Sequence, residues 1–362
     1  MATVLHVIER YLDLSSGFVH AQISRSRHRG VVVSRLAREN LDAFPLPGVS
    51  RVPAAVDVLP APLRDRAARA AVLRQARRVG AEIGHAHFGY ALPYTRVLNR
   101  RAAIPVVVSL HGHDATAWAA AQPWAYAPDP AFVAAVIVPS RWLARRAVDV
   151  GFRAEQVRVI PSGVDTAFFT PTPLQREPVV AFVGRLVEKK GIDTLMQAWP
   201  RVRDAVPSAR LRVLGAGPLA PLVGGDGVAS IEPDARHRAE QVRDVIVAAA
   251  VVVTPSHAGA DGDAESLLLV NLEAQASGRP VVTTDHGGIT EFVEANRSAL
   301  VVPEADAAAL AAAIVRVLTD AELAQRLAAH GPVVASRFDV RAAAGRVDDL
   351  YDEVLESPRV VK

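Results

Sequence analysis

Two carboxylates, a basic loop and a run of histidines are the residues in this chain whose types and spacing suit chemistry. The segment Ala264-Glu-Ser-Leu-Leu-Leu-Val-Asn-Leu-Glu273 sets Glu265 and Glu273 at the start of a helix expected over residues 266–277. Ser266 is its candidate cap, and Gly278 and Pro280 stop it. Eight helical steps span about 12 Å. The carboxyl pair of a glycoside hydrolase stands about 5–9.5 Å apart, so these two are too distant to flank one bond. They suit the two ends of one long ligand, such as a nucleotide-sugar, with the unpaired N–H groups of the helix start offered to an anion. The competing reading is a first-turn glutamate that complements the helix dipole and a solvated Glu273.

The segment Val183-Gly-Arg-Leu-Val-Glu-Lys-Lys-Gly191 follows a buried strand and opens a helix. Arg185 and Lys190 can neutralise a diphosphate, arginine as a fork and lysine as a point charge, and Gly184 lets the backbone approach closely. A basic surface turn is the plainer alternative. Further upstream, a strand runs into His111-Gly-His113-Asp114, with His85-Ala-His87 before it. Histidines two apart on a strand share a face, so a metal site is a rival to a ligand-facing loop. Asp261-Gly-Asp263 has the form of a metal-binding pair, but the spacing is common in glycine-rich loops. Gly215-Ala-Gly217 lacks the third glycine of a dinucleotide fingerprint and reads as a tight turn.

Short β-branched runs alternating with helical stretches must position these groups. Strands are expected at residues 4–8, 31–33, 106–110, 136–138, 157–160, 179–183, 211–214, 251–253, 281–283 and 299–302. Their continuous apolar character predicts parallel sheets covered on both faces. Three prolines in Thr170-Pro-Thr-Pro-Leu-Gln-Arg-Glu-Pro178 mark a stiff connector. The expected division is 1–170, 171–337 and a C-terminal helix in 338–362. Ligands of such open sheets bind outside the carboxyl ends of the strands. A helix over residues 191–206 presents Ile192, Leu195, Met196, Trp199, Val202 and Val206 on one face.

Composition narrows the function classes. The chain has 362 residues, half of them hydrophobic, which fits two domains and excludes a disordered chain. With no cysteine there is no disulfide scaffold, zinc-thiolate site or cysteine nucleophile. The N-terminus lacks an export pattern and no apolar run approaches the ~20 residues of a membrane span, so a cytoplasmic protein is expected. Residues 1–170 hold 21 Lys/Arg against 12 Asp/Glu, and the remainder 20 against 26. In residues 62–79, Arg64, Arg66, Arg69, Arg74, Arg77 and Arg78 stand against Leu63, Ala67, Ala70, Ala71 and Val79. That pattern reads as a basic amphipathic helix suited to an anionic acceptor or a peripheral contact with an anionic membrane.

Taken in order, the motifs resemble the retaining glycosyltransferases of family 4, which have the GT-B fold. They are Leu14-Ser-Ser-Gly-Phe-Val19, His85-Ala-His-Phe-Gly89, His111-Gly-His-Asp114, Pro139-Ser-Arg-Trp142 and Ile160-Pro-Ser-Gly-Val-Asp165. Gly184-Arg-Leu through Lys190-Gly191, Glu265 through Glu273, Gly278-Arg-Pro-Val-Val282 and Asp285-His-Gly-Gly-Ile-Thr-Glu291 complete the series. The histidine-rich motifs and the Asp-Gly-Asp run are most similar to the exopolysaccharide, colanic-acid-type branch. The chain departs from the family pattern at Ser16, Gly17, Ser162, Pro233 and Ser266.

The resemblance implies two Rossmann-like parallel-sheet domains facing a cleft, with the C-terminal helix crossing back to the first. It implies that Arg185 and Lys190 bind the donor diphosphate, with Gly17 and Gly184 close to it. Glu273 takes the ribose hydroxyls, Glu265 with the backbone of Ser266, Leu267 and Leu268 holds the donor sugar, and His111 lies beside the reacting centre. A nucleoside-diphosphate sugar is the expected donor, and a small molecule, glycan or lipid-linked hydroxyl the acceptor. No cofactor, metal or nucleic acid is expected. The rivals are a metal-dependent hydrolase using His85, His87, His111, His113 and Asp114, a sugar-nucleotide epimerase of the same architecture, and a non-catalytic nucleotide-sugar binder. A lysine-cofactor phosphorylase is disfavoured because Lys190 is already assigned and Lys362 is terminal.

Overall fold

The structure is a computed structural model that describes residues 1–12, 16–36, 40–122, 126, 132–234 and 238–357. Leu14 and Ser15 of the first motif lie outside the described residues. The chain divides into two units, residues 1–162 with 341–362, and residues 163–340.

The first unit carries β1 (Thr3–Ile8), β2 (Arg29–Ser34), β3 (Ser50–Arg51), β4 (Ile83–His87), β5 (Val106–Ser109), β6 (Val133–Val138) and β7 (Val157–Val159). They form one sheet in the order β3-β2-β1-β4-β5-β6-β7, all pairs parallel. Its helices are α1 (Gly17–Arg25), α2 (Ala61–Val79), α3 (Leu92–Ala102), α4 (Ala117–Ala121) and α5 (Arg141–Asp149). Val106, Val107 and Val108 are fully buried, as a strand covered on both faces must be. The second unit carries β8 (Val179–Val183), β9 (Arg210–Leu214), β10 (Val228–Ile231), β11 (Val251–Thr254), β12 (Val281–Thr284) and β13 (Ala299–Val302). These are parallel in the order β10-β9-β8-β11-β12-β13, the strand order of a dinucleotide-binding sheet. Its helices are α6 (Ile192–Ala205), α7 (Arg238–Val247), α8 (Leu269–Ala276), α9 (Ala307–Thr319) and α10 (Ala321–Ala335), after which α11 (Val340–Glu356) ends the fold.

The order of strands reverses between β1 and β4 in one sheet and between β8 and β11 in the other. Crevices form at such points, outside the carboxyl ends of the strands. The loops that follow these four strands carry most of the candidate chemistry.

Helix α11 belongs to the first unit, where Val347, Leu350, Tyr351 and Val354 cover Val4, Ile83, Val107, Ala135 and Ile137. Asp348 accepts from the Arg27 N–H at 2.8 Å and from the Ser26 hydroxyl. The units part at 162/163 and not at residue 170. Val164 and Phe169 are buried in the second core, and the fully buried Arg279 donates to the carbonyls of Thr172 and Pro173 at 3.0 Å, which ties the connector to that unit.

Helix α2 buries Ala68, Val72, Leu73 and Ala76 against the sheet. The apolar face read from the sequence is therefore displaced. Leu63 and Ala70 are exposed, and Ala71 and Val79 pack on the core, so this helix uses its apolar stripe for folding. Arg66, Arg74, Arg77 and Arg78 remain exposed. Among the described residues no helix is long and apolar enough to cross a membrane.

Candidate active site

In the second unit the basic loop leaves β8 and turns into α6. Gly191 ends it in the left-handed region at φ +67°, where a Cβ would lie 1.9 Å from the Pro255 carbonyl oxygen. That contact brings the loop against the segment after β11. Lys190 then places its Nζ 2.8 Å from Glu265 Oε1. Lys189, which the sequence reading gave no role, lies 2.9 Å from Asp263 Oδ2 and 3.5 Å from Glu265 Oε1. Two lysines and two carboxylates thus alternate in a largely buried cluster. Arg185 is exposed beside it. A Cβ built on Gly184 would meet nothing closer than the Phe182 ring at 3.7 Å, so the protein leaves that backbone open to approach.

Burial pushes the Glu265 carboxyl up, but Lys190 and Lys189 outweigh it and hold the group below its usual range. Burial, aided by Lys189 and Arg185, holds the Lys190 ammonium below its usual range against the pull of Glu265. Glu273 differs in kind: burial raises its carboxyl to about 7, with the Arg238 guanidinium pulling the other way.

Two readings from the sequence are corrected here. Helix α8 starts at Leu269, not at Ser266, and has no side-chain cap. Residues 265–268 are non-helical because the turn after β12 holds the Glu265 main chain: its carbonyl accepts from the Gly288 N–H at 3.0 Å. The 12 Å helical spacing of Glu265 and Glu273 loses its basis, since only residues 269–273 of that stretch are helical. Asp261-Gly-Asp263 is a structural turn, with Asp263 paired to Lys189 and its N–H donated to Asp261 Oδ1 at 2.9 Å. The Gly215-to-Gly217 turn is likewise structural. A Cβ on Gly215 would lie 2.0 Å from the Gly184 carbonyl oxygen, so this turn is the floor of the basic loop.

In the first unit Gly17 opens α1 after β1, and His111 lies in the loop after β5. The His111 ring packs between Phe18 (4.7 Å between centroids) and Phe88 (4.6 Å), with its Nε2 buried and unpartnered. Burial lowers the imidazole to about 4, against Asp114, so the ring is neutral. Phe88 itself sits at φ +66°, ψ 145°, an uncommon conformation for a bulky residue, held by its N–H to the Ser109 carbonyl at 2.9 Å. Asp114 is the unforeseen organiser. Its Oδ1 accepts from the N–H groups of His111 and Gly112, and its Oδ2 from that of Gly89, each at 2.9 Å.

The metal rival does not assemble as drawn. His113 is exposed, and Asp114 is engaged by three backbone amides. His85 and His87 are buried on β4 with His6 of β1, and nitrogens of the three lie within 4.8 Å of one another. Both His85 nitrogens already have partners, the Tyr351 hydroxyl and Ser109 Oγ. His6 Nδ1 is 2.9 Å from His87 Nε2. The His85 and His87 rings stack at 4.1 Å and 20°. Burial holds all three below the usual imidazole range, His6 near 3. The three rings are neutral, and His87 Nδ1 is buried without a hydrogen-bond partner.

The geometry can be set beside known proteins. The family model for Glycosyltransferase Family 4 matches residues 18–168, and that for Glycosyl transferases group 1 matches residues 177–320. Escherichia coli WcaL, named for colanic acid biosynthesis, is 36% identical over 176 residues, covering 46% of this chain and 43% of WcaL. This chain thus matches under half the length of that relative. A GDP-mannose-dependent alpha-(1-6)-phosphatidylinositol monomannoside mannosyltransferase of Mycolicibacterium smegmatis is 32% identical over 274 residues, 67% of this chain and 69% of that one. The crystal structure of Anabaena HepE with UDP-glucose superposes with a TM-score of 0.80 at 19% identity, over 98% of this chain and all of that chain. That likeness shows the GT-B fold. Two family models in tandem, a relative aligned over two thirds of both chains and two Rossmann-like sheets lead to one assignment: this chain belongs to the family 4 glycosyltransferases.

Proposed function

We propose that the protein transfers a sugar from a nucleoside-diphosphate sugar to a hydroxyl acceptor, with retention at the anomeric carbon and without a metal. One observation carries this reading: Lys190, with Lys189 and Arg185 near it, meets Glu265 where the loops after β8 and β11 come together beside the switch point of the second sheet. An ammonium has three N–H donors. Lys190 gives one to Glu265 and keeps two for a phosphate oxygen. Arg185 adds a planar fork, and the open backbone at Gly184 allows the diphosphate to come close.

In the reaction the bond between the anomeric carbon and the diphosphate oxygen breaks, and charge grows on the leaving group. Arg185 and Lys190 stabilise that charge. The acceptor oxygen bonds to the anomeric carbon on the same face, and its proton passes to the leaving phosphate. Glu265 holds the sugar hydroxyls and Glu273 the ribose hydroxyls, and His111 of the first unit offers a neutral hydrogen-bonding ring to a sugar hydroxyl. HepE was crystallised with UDP-glucose and the mycobacterial relative is named for GDP-mannose, so both bases belong in the test. That relative's lipid acceptor, together with the exposed arginines of α2, supports a lipid-linked or anionic acceptor here.

The experiment is a thermal-shift panel of UDP- and GDP-sugars with chelator present. A donor at 100 times its Kd stabilises the protein by about 2.7 kcal/mol. A rise in melting temperature with one donor class is expected. No shift with any donor would contradict the reading.

A further inference from the structure

Glu265 is gripped from two directions. Its carboxylate meets Lys190 and Lys189, and its main chain is held by the turn after β12. The Glu265 N–H donates to His286 Nε2 at 3.2 Å, and its carbonyl accepts from the Gly288 N–H at 3.0 Å. Gly287, at φ +59°, lets this happen, since a Cβ there would lie 2.0 Å from the Glu265 carbonyl oxygen. His286 is 6% exposed, and its Nδ1 is 2.8 Å from Glu304 Oε2. The same Glu304 oxygen accepts from the Ala258 N–H at 2.9 Å. A carboxylate needs a donor and an amide N–H needs an acceptor. One tautomer of a neutral imidazole serves both, with the proton on Nδ1 and the lone pair on Nε2.

We propose that His286 is a positioning residue of the donor site: oriented by Glu304, its Nε2 fixes the peptide of Glu265, and through it the carboxylate on Lys190 and the backbone leading into α8. The inference rests on the donor-site reading of Glu265. It makes that site sensitive to acid. A proton on Nε2 would set two N–H groups against each other and break the bond to Glu265. The groups facing the ring are Glu304 after β13, Glu265 before α8 and His257 after β11. Burial, with a small contribution from His257, holds the imidazole below its usual range, against the two carboxylates. The neutral form therefore persists at neutral pH, and positioning fails on the acid side. A histidine that only filled space would give no acid limb of its own.

The test uses the full-length protein as wild type, His286→Gln, His286→Ala and Glu304→Gln, with UDP-glucose and GDP-mannose as probes. Two readouts are followed against pH: hydrogen exchange of the Glu265 amide, and donor turnover. His286→Ala is expected to lose roughly tenfold in amide protection and in kcat/KM, the scale of one buried hydrogen bond. His286→Gln, whose amide oxygen stands near the Nε2 position, is expected to recover most of that loss and to lack the acid limb of amide protection, while turnover keeps the limb due to Glu273. Glu304→Gln removes a charge that favours the imidazolium, so its limb moves to lower pH. Wild-type amide protection in His286→Ala, or an unchanged acid limb of amide protection in His286→Gln, would overturn the proposal. If wild type turns over neither donor, the functional reading fails by itself, and amide protection still decides the role of His286.

Discussion

Lys190 and Glu265 depend on each other, and this fixes what their removal does. Arg185→Ala and Lys190→Ala are each expected to lower kcat by roughly 10²–10³, the scale seen when one donor to a developing anion is lost. Circular dichroism should show both variants folded, since Lys189 still faces Glu265 when Lys190 is gone. Near-normal turnover in either would contradict their assignment to the diphosphate. Glu273 makes a different prediction. Its carboxyl titrates at about 7, and the ionised form is the better acceptor for two ribose hydroxyls. Affinity for UDP or GDP should rise as pH passes upward through about 7, and Glu273→Gln should flatten that rise in a calorimetric titration. Arg185, Lys190, Glu265 and Glu273 were singled out in the sequence by residue type, while the helical spacing assumed between the two glutamates is not what the chain adopts. The roles of Lys189, Asp263, Asp114 and His286 were not legible. Each acts through a partner brought near only by the sheet, as with the Asp114 carboxylate and the Gly89 amide.

The elements were legible where apolar runs are continuous. The strands expected at 179–183 and 299–302 match their observed bounds, and the helix expected in 338–362 runs over Val340–Glu356. Strand β4 was less visible because Gly84, His85 and His87 interrupt its apolar run, although all five residues are buried. Its histidines are tolerated because His87 bonds His6 of β1 and His85 bonds Ser109 and Tyr351 of α11. Tyr351→Phe should therefore cost about 1–3 kcal/mol, read by denaturant unfolding, by leaving His85 Nδ1 without a partner in the core. Helix α8 was expected one turn too early, because pattern alone does not show that the turn after β12 claims the Glu265 main chain. Helix α2 shows the same limit. Its arginines were legible, but which stripe faces the sheet was not. If the exposed arginines contact anionic lipid, flotation with anionic liposomes should be salt-sensitive and lost when Arg66, Arg74, Arg77 and Arg78 are changed to Ala. Equal recovery in the soluble fraction under all conditions would leave a soluble acceptor.

Across the whole molecule, each of two parallel sheets has one point at which the strand order reverses, with candidate residues in the loops beyond it. The first unit supplies a neutral His111 in an aromatic setting, and the second supplies the cations and carboxylates. The alternation of strands and helices made this plan legible, but the boundary at 162/163 and the anchoring by Arg279 depend on packing that sequence pattern does not reveal. Whether transfer is metal-free and retaining is decided by a proton NMR time course. Wild-type protein would be given UDP-glucose or GDP-mannose, with oligosaccharide and polyprenyl-linked sugar acceptors, in excess chelator. Consumption of one α-configured donor, with appearance of an α-linked product and free nucleoside diphosphate, is expected. A β-linked product, or turnover that returns only when a divalent metal is restored, would contradict metal-free, retaining transfer.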